Sequence, residues 1–107
     1  MSNKLRKHAH VLKFLSKAKP STANAVIKAG DKALIDTLCE CCLNVLNGVV
    51  PLTNHQRKKL GKYKNQLRLL KNKSVSRQKK KTLLQKGGFI GALLPPIIGI
   101  LGGLLGK

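Results

Sequence analysis

Acidic residues are nearly absent from this chain. Asp31, Asp36 and Glu40 stand against 22 lysines and arginines, a formal net charge of +19 over 107 residues. With Asp31 at a helix start and the others five and nine positions on, they supply no facing acid and base pair for general catalysis. They also leave most cations without an internal counter-charge, so a polyanionic partner is expected, nucleic acid or an anionic membrane face. Aromatic residues are equally scarce. Phe14, Tyr63 and Phe89 are the only three, and tryptophan is missing, which argues against binding single strands by stacking. There is no Ser-His-acid set, no glycine-rich phosphate loop, no alternating strand pattern and no internal repeat. These absences point away from an enzyme and imply no cofactor.

Cysteine occurs only as Cys39, Cys41 and Cys42. An odd, clustered set gives no disulfide framework. Cys39 and Cys42 form a C-x-x-C without the second cysteine or histidine pair that a zinc site needs, so no metal site is expected. They read as small buried hydrophobes of a helix made in a reducing compartment. His8, His10 and His55 lie in basic segments and read as solvated side chains. The opening "MSNKLRKHAHVLKFLSKAKP" lacks the apolar run of a secretory signal. Its wealth of cations mimics a transit peptide, but the whole chain shares that bias.

Charge divides the chain. Residues 1–19 hold six cations and no acid, 20–52 hold two lysines and all three acids, 53–86 hold thirteen cations and no acid, and 87–107 hold Lys107 alone. The expected organisation is a basic amphipathic arm (1–19, with Leu5, Val11, Leu12, Phe14 and Leu15), a helical basic body (20–86) and a hydrophobic glycine-rich tail (87–107). The fold class is all-α, a small bundle of three or four short helices carrying the arm and the tail. Within the body, "STANAVIKAG" predicts a helix closed by Gly30, and Asp31 caps a second that runs to Gly48. There Leu34, Ile35, Leu38, Cys39, Cys42, Val45 and Leu46 follow helical spacing. Thr53 and Gln56 form a capping box for a third. Its stripe is Leu60, Tyr63, Leu67 and Leu70, and Gly61 is expected to weaken but not break it. A fourth starts near Ser74 or Ser76 and packs through Val75, Leu83 and Leu84.

The third and fourth helices carry Arg57, Lys58, Lys59, Lys62, Lys64, Arg68, Lys71, Arg77, Lys79, Lys80 and Lys81. Cations held on a helical scaffold can bridge phosphates and release counterions, and nothing here suggests reading of bases. Duplex nucleic acid, bound without regard to sequence, is the expected partner. "RKK" and "RQKKK" also read as nuclear import signals. A plain solvated helix face is the alternative for each run taken alone.

The tail "FIGALLPPIIGILGGLLGK" has eighteen consecutive uncharged residues, Phe89 to Gly106. As one helix they reach about 27 Å, short of a ~30 Å hydrocarbon core. Pro95-Pro96 is expected to kink it. Gly99, Gly102, Gly103 and Gly106 form two G-x-x-x-G spacings that favour close helix approach. Phe89, Ile90, Leu93, Leu94, Ile97, Ile98, Leu101, Leu104 and Leu105 are the candidate membrane residues. The alternative is a hydrophobic strap packed on the core or on a partner protein.

Gln85-Lys86-Gly87-Gly88-Phe89 looks like the processing site of adenovirus-type cysteine proteases: an apolar or amide residue, any residue, then Gly-Gly before the cut. The alternative is a helix cap and hinge. With "KAGDKALIDTLCECCLNVLNGVVPL", "RLLKNKSVSRQKKKTLLQKGGFIGALL" and the tail, the chain resembles small basic virion proteins of adenovirus-like viruses and the related Polinton (Maverick, adintovirus) elements. The resemblance spans most of residues 20–107. It implies a capsid-internal protein of the virion, present in the host nucleus during expression. Such a protein contacts packaged DNA and capsid proteins, is cut by a maturation protease at Gln85, Gly87, Gly88 and Phe89, and helps breach a membrane. The tail here is more wholly apolar than adenoviral lytic segments. The competing readings are a membrane-active protein whose tail inserts in lipid, and a cellular histone-like or ribosome-associated factor, which has no reason to carry such a tail.

Overall fold

The computed structural model describes residues 6–48, 50–85 and 89–105, with side chains through Gly99. Among these residues there are seven α-helices and no strand: α1 (Ala9–Lys17), α2 (Pro20–Ala29), α3 (Lys32–Leu46), α4 (Asn54–Gly61), α5 (Lys64–Lys71), α6 (Arg77–Leu84) and α7 (Phe89–Leu105). The all-α class holds, and the expected three or four helices become seven. The arm and the tail each supply a helix of the globule, and the third helix of the body is broken in two.

The helix starts follow from local chemistry. Asp31 accepts the Leu34 N–H at 3.0 Å. Thr53 Oγ1 accepts from the Gln56 N–H at 3.1 Å while Gln56 Oε1 accepts from the Thr53 N–H at 3.0 Å, a closed capping box. Ser76 Oγ accepts from the Lys79 N–H at 3.2 Å. Each satisfies a helix donor that has no partner within the helix, an effect of about 1 kcal/mol. After α3 the chain leaves through Gly48 at φ +74°, a left-handed conformation that costs a residue with a Cβ. Gly30, by contrast, ends α2 in extended backbone, and close approach is what favours glycine there: a Cβ would sit 2.8 Å from Leu34 Cδ2.

The break between α4 and α5 falls at Gly61-Lys62-Tyr63. The Tyr63 N–H reaches back three residues to Leu60 O at 2.9 Å, a tighter turn than the α-helix, before the Leu67 N–H resumes four-residue bonding to Tyr63 O. The stripe survives the break. Leu60, Leu67 and Leu70 are buried and Tyr63 packs against the core.

The tail segment packs as a helix within the globule. Phe89, Ile90, Leu93, Leu94 and Ile97 are buried, and Ile98 is half-buried against them. α7 packs most extensively on α1 and also touches α2, α3 and α4. It runs through Pro95 and Pro96 as one helix. Two backbone hydrogen bonds are forfeited there, and burial of the flanking Leu93, Leu94 and Ile97 offsets the loss. In the arm segment, Ala9, Leu12 and Leu15 of α1 are likewise buried. A radius of gyration of 12.6 Å matches a fully collapsed chain of this length.

α1 is also tied to α3. Thr37 is fully buried, donates its hydroxyl proton to Ala33 O at 2.7 Å, and lies 3.2 Å from His8 Nδ1. With that proton committed, the Thr37 hydroxyl oxygen is left to accept a hydrogen bond from His8 Nδ1–H.

Candidate nucleic-acid interface

Three consecutive helices, α4 to α6, present the candidate cations, and each is amphipathic on a minimal scale. α4 buries Leu60 alone, α5 buries Leu67 and Leu70, and α6 buries Leu83 and Leu84. The remaining surface of each is cationic. Lys58 and Lys59 of α4, Arg68 and Lys71 of α5 and Lys81 of α6 stand in last turns, where the helix dipole favours positive charge, whereas Lys64, Arg77, Lys79 and Lys80 stand in first turns, where it does not. Like-charge pairs four residues apart oppose this: Lys58 with Lys62, Lys64 with Arg68 and Arg77 with Lys81. Each costs about 0.2–0.5 kcal/mol.

Arg57, Lys58, Lys59, Lys62, Lys64, Arg68, Lys71, Arg77 and Lys79 are exposed, whereas Lys80 and Lys81 are half-buried. Asn54, His55, Arg57 and Lys58 line an open cleft of about 600 Å³ at the start of α4. α6 uses part of its charge inside the protein. Arg77 Nε lies 3.6 Å from Asp36 Oδ1 on α3, an exposed pair worth at most about 1 kcal/mol. Lys80 precedes Leu83 and Leu84 by three and four residues, so its stem follows the packed face toward α3. Arg77 and Lys80 both bear electrostatically on Cys39 of α3. The structure therefore divides the eleven cations. Arg57, Lys58, Lys59, Lys62, Lys64, Arg68, Lys71 and Lys79 face solvent, Arg77 and Lys80 help dock α6 onto α3, and Lys81 is half-buried.

Of the residues named for processing, Gln85 is half-buried and donates through Nε2 to Asn24 O at 3.1 Å, tying the end of α6 to α2. Phe89 is fully buried with its ring edge-on to Tyr63, centroids 5.3 Å apart. Gly87 and Gly88 lie outside the described residues. Of the membrane candidates, Phe89, Ile90, Leu93, Leu94 and Ile97 form core, and Leu101, Leu104 and Leu105 lie outside the described side chains. Among the described residues no helix is long and apolar enough to cross a membrane, and no group of three His, Cys, Asp or Glu is placed to hold a metal.

The cysteines sit inside α3. Cys41 and Cys42 are buried and Cys39 is half-buried. Burial pushes the Cys41 thiol from its ordinary 9.0 up to about 12, with Glu40 adding to the effect, and burial likewise raises Cys42 and Cys39. A thiol held protonated in the fold contributes full stability below the unfolded value near 9. That contribution is lost as pH rises from about 9 toward 12, at up to about 1.4 kcal/mol per pH unit. Accordingly, the urea midpoint of the protein should fall more steeply between about pH 8.5 and 10 than that of Cys41→Ala. Near neutral pH Cys39 should be alkylated first, and Cys41 and Cys42 only on unfolding. Equal reactivity of all three in the native protein would contradict this placement.

No protein-family model, curated protein or solved structure matches the chain.

Proposed function

We propose that this protein is a structural, non-enzymatic binder of duplex nucleic acid that neutralises and condenses it through phosphate contacts, in the manner of a small basic virion component. One observation carries the reading. The cations of α4 and α5 stand exposed on a folded scaffold in a chain whose three carboxylates cannot neutralise them. Fixed ammonium and guanidinium groups bind the phosphate backbone by displacing its condensed counterions, which needs no pocket and reads no base. A virion location, contact with capsid proteins and cutting by a maturation protease belong to the same proposal. They rest on the resemblance of the sequence to virion proteins.

The membrane-active reading has less to support it, because the first half of the segment meant to insert is spent on the core. A cut between Gly88 and Phe89 would leave α7 held by its packing, so release of a tail peptide would require the core to open.

Fluorescence anisotropy with two duplexes of equal length and unrelated sequence tests the proposal. Equal dissociation constants, weakening together as salt rises, are expected. Tight binding to one of them that survives roughly 0.3 M salt would reject it.

A further inference from the structure

The three aromatic residues are not equivalent. Tyr63 and Phe89 are in edge contact with one another at the core, while Phe14 on α1 is 52% exposed. The cause lies in the helix phase. α1 meets the core through Ala9, Leu12 and Leu15, and Phe14 falls outside that face. His10 lies four residues before Phe14 and Lys17 three after it, so all three share one helix surface. With Lys13 and Ala18 they line a shallow cleft of about 320 Å³. A planar hydrocarbon ring, a second flat ring and two ammonium groups thus surround one concavity on a protein otherwise poor in aromatics.

We propose that this cleft is a binding site for a single unpaired nucleobase, stacked on the Phe14 ring beside His10, with Lys13 and Lys17 on the flanking phosphates. Every base offers a flat face, so the site would favour single-stranded ends or gaps without choosing sequence. Three aromatics are too few for an array along a strand, but one is enough for one base. The inference rests on the nucleic-acid reading of the basic surface and adds a second, single-strand contact to it. Lipid fits the site less well. The large apolar residues of α1, Leu12 and Leu15, are turned inward, leaving Phe14 and the partly exposed Val11, too little to anchor a helix in an interface.

Because the chain contains no tryptophan, Phe14→Trp in the full chain places one indole reporter in the cleft. A short oligothymidylate of about ten nucleotides should quench that indole strongly at low salt, since stacking quenches it. Phe14→Ala and Phe14→Leu should each bind the oligonucleotide roughly ten-fold more weakly, because leucine keeps the bulk but not the ring. Their affinity for blunt duplex should stay within about two-fold of the parent, because phosphate contacts elsewhere carry it. Circular dichroism of each variant verifies the fold. Unquenched emission while a labelled oligothymidylate is bound would overturn the site. So would a blue shift with vesicles rich in phosphatidylserine and no quenching by the oligonucleotide. Loss of duplex binding by the parent protein itself would instead remove the nucleic-acid reading on which the site rests.

Discussion

Replacing Leu93 and Leu94 together by alanine should leave the protein largely unfolded at room temperature. Both side chains are fully buried in α7, which packs against α1, α2, α3 and α4. A buried leucine truncated to alanine costs about 2–5 kcal/mol through lost transfer energy and the cavity left behind. Two such losses rival the whole stability of a domain this size, about 5–15 kcal/mol. Phe89→Ala, which also removes the edge contact to Tyr63, should cost about 3–5 kcal/mol alone. Leu43→Ala is the control, since Leu43 is an exposed leucine of α3 and its loss should move the melting temperature by only a few degrees. Thermal melts followed at 222 nm read all three. If residues 89–107 were an appended tail, the double variant would melt like the parent.

The second large effect concerns charge. With about eight phosphates contacted, the logarithm of the binding constant should fall with the logarithm of salt concentration at a slope near roughly −7. Changing Lys58, Lys59, Lys62 and Lys64 together to glutamine removes four exposed cations, and each neutralised phosphate carries a slope of about 0.9, so the variant should fall near roughly −3 to −4. Stability should rise slightly, because like-charge pairs are relieved. Lys80→Gln should change the slope much less, since Lys80 is half-buried on the seam with α3. Equal slopes for the parent and the four-site variant would move the interface away from α4 and α5.

Much of the body was legible in the sequence because its signals are local. Asp31, Thr53 with Gln56, and Ser76 cap helices by bonds to residues three positions away, so a short window contains the whole cause. The stripe from Leu60 to Leu70 is likewise a matter of spacing. What escaped the sequence depends on contacts between distant segments. An uncharged run such as 89–98 must be covered, but its composition suits lipid and protein interior equally; only α1 folding across it decides for the interior. Helical phase decided smaller points. Cys41 is fully buried while Cys39, on the sequence stripe, is only half-buried, and Phe14, one of the apolar residues of the arm, is turned out. The spacing of Ala9, Leu12 and Leu15 was the available signal for α1. For Lys80 the signal was its distance from Leu83 and Leu84. Of the candidate interface, the identity of the cations was readable, but their division between solvent and the α3 seam required the fold.

Lysine footprinting tests the central claim most directly. The native protein would be acetylated briefly at low salt, alone and saturated with a duplex, and each lysine quantified by mass spectrometry. Lys58, Lys59, Lys62, Lys64, Lys71 and Lys79 should be protected by the duplex and become reactive again when salt is raised, while Lys28 and Lys32, on α2 and α3, change little. Lysines of α4 and α5 that stay as reactive in the complex as in the free protein would contradict the account.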